Sequence, residues 1–314
     1  MREWLEVLAF RGGYNTNVVL AGAMLLGIGA GVVGPFAMLK RRALVADAMA
    51  HATLVGVSVA FLISTAAGAT ERSLATLLVG AAVAGGLAVL AIELLVRATR
   101  LTVDTATATV SSSSFGAGIV ALSAVRRTPG ADQAGLDRLI FGSTASMTSA
   151  DAWLVAGICA VCITLTVALI KPLTAVAFNE RFAVTAGLPV RLLDGVVAAL
   201  VATVTLAGLQ AVGMLLVVAL LVTPAATARL WTTRVGALVA LSAMIGASAG
   251  WVGASLSAVL PNAPAGSLIV LVAAATFATS LALAPERGLL SGWIRLRRLR
   301  ERARAAAASG GGPS

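Results

Sequence analysis

The stretch GPFAMLKRRALVADAMAHATLVGV, Gly34 to Val57, holds the end of one apolar run, three consecutive cations (Lys40, Arg41 and Arg42) and the start of a second apolar run. Basic residues between two apolar runs mark the cytoplasmic end of a membrane hairpin, because short cytoplasmic loops are enriched in Lys and Arg. The second run is apolar except for Asp47 and His51, the only histidine of the chain. A separation of four puts both side chains on one helix face. Counted from Arg42 at about 1.5 Å per residue, His51 sits roughly 13 Å into the membrane, nearly half way across. An aspartate at that depth costs a few kcal/mol and is rarely placed there without a partner or a pathway. Carboxylate and imidazole together suit Zn, Mn or Fe. The alternative is a hydrogen-bonded pair that only joins two packed helices.

Outward from this segment the chain keeps the same character. Its 314 residues are 59% hydrophobic and 11% charged, with a mean hydropathy of +0.98. An average soluble domain carries roughly a quarter charged residues. So apolar a chain has too little polar surface to cover a soluble globule, and its length allows about eight to ten spans of roughly 20 residues. Nine apolar runs can be placed, at about 17–39, 43–66, 74–96, 104–125, 152–171, 192–209, 212–228, 236–258 and 266–284. Only Leu209, Gln210 and Ala211 separate the sixth from the seventh, which form either a tight hairpin or a broken segment.

The net charge of +10 is read from its placement. With Lys40, Arg41 and Arg42 inside and nine alternating spans, Arg97 and Arg100, Lys171, Arg181 and Arg191, and Arg229 and Arg234 all fall on the cytoplasmic side. The N-terminus is then outside and the C-terminus inside. Arg2, Arg11 and Arg72 run against this pattern, as do Arg126, Arg127 and Arg138 in a loop that also holds Asp132, Asp137 and Asp151. Arg287 and the run Arg295, Arg297, Arg298, Arg300, Arg302 and Arg304 read as an interfacial basic helix at an anionic inner leaflet. Nucleic-acid binding is disfavoured, since no soluble domain remains to present a basic groove. No cleavable signal is expected, because Glu3, Glu6, Arg11 and Asn15 interrupt the first 16 residues.

Other polar residues in the spans have structural readings. Cys159 and Cys162 have redox or metal spacing, but their flanks are those of an ordinary spanning helix, so close packing is favoured. Glu93 and Arg97, four apart near a helix end, read as an ion pair. Asp194, three after Arg191, and Asp104 read as interfacial. Ser111 to Ser114 either line a polar path or bond to backbone carbonyls. The chain's two lysines follow Leu39 and Ile170, so no phosphate-binding loop ending in Gly-Lys-Ser/Thr exists, and any ATP used is bound by another chain.

The Gly34–Val57 stretch resembles the signature of the zinc/manganese/iron ABC permease family: a basic pair, then Asp, three residues, His, and an apolar stretch with Gly. VGMLLVVALLVTPAATARLW, Val212 to Trp231, and APAGSLIVLVAA, Ala263 to Ala274, are similar to two further blocks of that family. The resemblance implies that Asp47 and His51 are metal ligands in a translocation path. It also implies that Phe178 to Pro189 is a coupling region docked on an ATPase. There Asn179, Glu180, Arg181, Phe182, Ala183 and Gly187 are the candidate contact and shaping residues. Glu180 and Arg181 suit rim contacts, Phe182, Ala183 and Leu188 suit apolar anchors, and Gly187 and Pro189 are helix-ending residues. The serine run at 111–114 departs from zinc-type members, some of which have a histidine there.

The expectation is thus an all-α, polytopic integral membrane bundle of about eight or nine transmembrane helices. A permease domain spans 1–290, followed by a basic cytoplasmic tail at 291–314 with a Gly-rich end. By resemblance it is the non-catalytic permease subunit of an importer in the cell membrane of a bacterium, with no permanently bound cofactor. Two copies, or this chain and a similar permease, would pair above a cytoplasmic ABC ATPase, with a metal-binding lipoprotein or periplasmic protein outside. Manganese is the favoured cargo, with zinc or iron possible; no second histidine exists, and Leu283 to Leu290 resembles the terminus of manganese-type members. The alternatives are a proton-coupled secondary transporter and a siderophore or cobalamin permease.

Overall fold

The computed structural model describes residues 7–8, 13–40, 42, 44–67, 74–127, 149–212, 214–260, 263–284 and 288. Its main elements are the helices α1 (Tyr14–Leu39), α2 (Val45–Ala66), α3 (Leu74–Ala98), α4 (Val103–Arg126) and α5 (Ser149–Ala168), then two short ones, α6 (Ile170–Phe178) and α7 (Glu180–Thr185). These are followed by α8 (Val190–Val212), α9 (Met214–Trp231), α10 (Val235–Val259) and α11 (Ala265–Leu283). Among the described residues, eight helices are long and apolar enough to cross a bilayer, and α9 adds a shorter apolar helix over Leu216–Trp231. Each of the nine runs coincides with one helix. The basic tail, the loop holding Asp132, Asp137 and Arg138, and Arg2, Arg11, Arg41 and Arg72 lie outside the described residues.

The sixth and seventh runs differ from expectation in where they divide. Leu209, Gln210 and Ala211 are helical, and the break falls between Val212 and Met214. Leu, Gln and Ala are good helix formers, whereas Gly213 lowers helix propensity by about 1 kcal/mol. A Cβ placed on Gly208 would lie 2.3 Å from Val217 Cγ2. In one continuous helix, nine residues span roughly 13.5 Å, so that approach requires the chain to reverse. The hairpin alternative therefore holds, and α8 and α9 are two helices rather than one broken one.

Helix α1 is the axis of the larger group. It packs against α5, α8, α9 and α10, with α11 behind α9 and α10. Its Leu20, Leu26, Val33 and Phe36 share one core with Val155, Leu220, Leu221 and Ile269. Between lipid-soluble helices there is little hydrophobic drive, so close backbone approach carries the association. Gly27 and Gly246 provide it: a Cβ on either would meet the other's carbonyl oxygen at 2.1 and 2.2 Å. The second group is α2, α3 and α4, with Met49, Ala52, Ile92, Ala106 and Val110 at its centre. Contacts of α2 with α8 and α9 join the two groups.

Candidate functional site

Asp47 and His51 lie in the first two turns of α2. Ala46, Ala48, Met49 and Ala50 around them are buried, so packing fixes the helix while the two polar side chains share the remaining face. His51 Nε2 lies 3.5 Å from Asp47 Oδ1, and Ser111 of α4 donates to Asp47 Oδ2 at 2.9 Å. The Asp47 side chain is 39% exposed and that of His51 21%, so the pair opens on one side rather than being sealed in a core. Phe115, one turn beyond Ser111, meets the His51 ring edge-on, with centroids 5.0 Å apart and planes at 71°. Metal-binding histidines usually have their second nitrogen held by a hydrogen bond. His51 Nδ1 is enclosed and has no such partner among the described residues, so the ring is held by the aromatic contact.

Two ligands on one ion with bonds near 2.1 Å stand about 3.0 to 3.4 Å apart. The Oδ1 to Nε2 separation is close to this, and a carboxylate with an imidazole is a fitting donor pair for a divalent transition ion. Among the described residues, no third His, Cys, Asp or Glu joins them. One copy therefore brings two candidate donor groups together at this place.

The remaining expected residues divide by place. Glu93 pairs with Arg97 at 3.6 Å as its spacing predicts, and it also accepts from Arg42, just before α2. Asp194 finds its partner in Lys40, 2.8 Å away at the end of α1, and not in the nearby Arg191. Cys159 and Cys162 are free thiols buried on α5, Cys159 seated against Gly29 of α1, in agreement with a packing role. In the serine run, Ser113 bonds to the Val110 carbonyl while Ser111 reaches Asp47. The Ser111–Asp47 and Lys40–Asp194 contacts join residues far apart in the chain, and no local spacing signals them.

The segment Phe178 to Pro189 folds as a capped turn of helix. Asn179 caps α7 by accepting from the Phe182 N–H at 3.0 Å. At the other end Gly187 takes φ +76°, and the Gly187 and Leu188 N–H groups donate back to Val184 and Ala183. This is a Schellman closure, in which glycine is favoured because a side chain is strained at that φ. Ala183 is fully buried and Leu188 packs against the main core, so both face inward and are not free to anchor a partner. Glu180, Arg181 and Phe182 face out, Phe182 being 61% exposed.

Apolar helices long enough to span a bilayer, with a partly open carboxylate–imidazole pair on one of them and a short capped helix between α6 and α8, fit a polytopic membrane protein of the transport class. The chain belongs to the ABC 3 transport family, whose model matches residues 14–284. It is 40% identical over 288 residues to the manganese transport system membrane protein MntC of Bacillus subtilis, covering 92% of this chain and 65% of that one. This chain thus spans just under two thirds of that relative's length. It is 35% identical over 286 residues to the zinc transport system membrane protein TroC of Treponema pallidum, covering 91% of this chain and 94% of that one. Among solved structures, PsaBC from Streptococcus pneumoniae in complex with Fab matches with a TM-score of 0.76 at 29% identity, covering 94% of this chain and 99% of that chain.

Proposed function

We propose that this chain is the permease of an ABC importer for a divalent transition metal, with manganese the favoured cargo. The observation that carries this reading is the convergence of Asp47 Oδ1 and His51 Nε2 on an open helix face within the membrane. Two copies related by a two-fold axis would bring two carboxylates and two imidazoles together, because closed symmetry repeats the same patch. The ion would exchange part of its water shell for these ligands. With Oδ2 already accepting from Ser111, six-coordination of manganese would draw on retained waters rather than on bidentate carboxylates. A dry set of two oxygens and two nitrogens would suit zinc.

ATP hydrolysis belongs in this reading to a cytoplasmic ABC ATPase docked at α7, and ion delivery to a metal-binding protein on the outer face. The N-terminus is outside and the C-terminus cytoplasmic, as the basic loops require. The experiment is to delete the gene and measure cellular Mn, Zn and Fe on limiting metal. Loss of manganese accumulation, restored by the gene and by excess manganese, is expected. Rescue by zinc alone, with cellular manganese unchanged by the deletion, would overturn the manganese reading.

A further inference from the structure

Four hydroxyls of α4 follow one habit, and Ser111 departs from it. Thr107 donates to the Val103 carbonyl, Thr109 to Thr105, Ser113 to Val110 and Ser123 to Ile119. This is the usual fate of a hydroxyl on an apolar helix, where the preceding turn offers the nearest acceptor. Ser111 instead sends its single proton across to α2, 64 positions away in the chain, at 2.9 Å from Asp47 Oδ2. A carboxylate is free to turn about its last torsion, and its two oxygens are chemically alike. Occupying Oδ2 with a donor leaves Oδ1 as the oxygen turned toward His51 Nε2.

We propose that Ser111 is a positioning residue for the transported ion, pinning Asp47 so that Oδ1 and the imidazole present a preset pair before the ion arrives. The inference rests on the reading of Asp47 and His51 as ligands. Partners that orient a metal-binding carboxylate are worth about tenfold to a hundredfold in metal affinity when removed. It also divides the serine run chemically: Ser111 serves the ion, while the Ser113 hydroxyl is satisfied within its own helix.

The test is Mn2+ binding to the purified full-length permease in its complex, followed by loss of the free-ion electron paramagnetic resonance signal. Zn2+ would be run as a competitor. Ser111→Ala is expected to weaken binding about tenfold or more, Ser111→Thr to restore most of it, and Ser113→Ala to leave it unchanged. A merely structural role for the serine run would move Ser113→Ala as well. Wild-type affinity in Ser111→Ala overturns the proposal, as does equal weakness of Ser111→Ala and Ser111→Thr, since the hydroxyl is then not what binding needs. Asp47→Asn separates the two levels. If it abolishes binding while Ser111→Ala binds like wild type, only the positioning role falls; if it binds like wild type, the ligand reading falls and takes this inference with it.

Discussion

Asp47 and His51 are expensive residues to keep in an apolar helix, and what surrounds them offsets only part of that cost. A central carboxylate costs a few kcal/mol on insertion scales. One hydrogen bond to a charged group returns about 1.5 to 3 kcal/mol in general, and Ser111 supplies one here. Asp47 lies in the first turn of α2 with 39% of its side chain open, so an oxygen stays available besides the one that accepts from Ser111. The expected outcome is that Asp47→Asn, which keeps the shape and the acceptor for Ser111 but loses the charge, drops uptake to that of the deletion strain. His51→Ala removes the ligating nitrogen and should do the same. Uptake is compared at equal membrane levels by immunoblot. Wild-type rates in both variants would make the pair a structural contact.

At the scale of elements, α7 is the segment proposed to dock on the ATPase. Its two caps hold six residues in a helix too short to be stable alone, and the buried Ala183 ties it to the main core. The chain then turns at Gly187 into α8, whose Asp194 is bonded to Lys40 at the end of α1. Lys40 and Arg42 both belong to the connection leading into α2, five to seven residues before Asp47. A shift of α7 therefore has a continuous covalent and ionic route to the ligand pair. Phe182→Ala should weaken ATPase association by about 2 kcal/mol, or roughly thirtyfold, since exposed aromatics are the usual anchors of such contacts. The α7 cap survives the change because Asn179 accepts from the backbone N–H of residue 182. Co-purification and transport-stimulated ATP hydrolysis measure the effect, and unchanged values for both would place the docking surface elsewhere.

The molecule as a whole is built as two helix groups, with the site on the smaller one. Both groups are locked by close backbone approach, Gly27 to Gly246 in the α1-centred group and Gly56 to Gly80 between α2 and α3, and α2, α3 and α4 pack around smaller cores. The proposed ligand reading of Asp47 and His51 predicts that function belongs to a pair of copies. If two identical copies build the path and both must be intact, co-expressing equal amounts of wild-type and Asp47→Asn chains should leave about a quarter of the uptake, because random pairing leaves about a quarter of dimers fully wild type. Uptake near one half would point instead to copies that work alone or to pairing with a different permease.

Hydropathy and the basic triplet were enough to place the nine helices, since a bilayer demands an apolar run of set length and nothing tertiary can override that demand. The i, i+4 spacing likewise put Asp47 and His51 on one face, and Gly187 and Pro189 marked the end of a short helix. These are local properties, and local properties are written in consecutive residues. What faces what is not. The reversal that brings Gly208 against Val217, the inward turn of Ala183, the Lys40–Asp194 pair and the crossing of Ser111 to Asp47 each depend on which helices become neighbours. That choice is made by close packing of small residues along surfaces that all look alike in hydropathy, and so only the tertiary structure decided it.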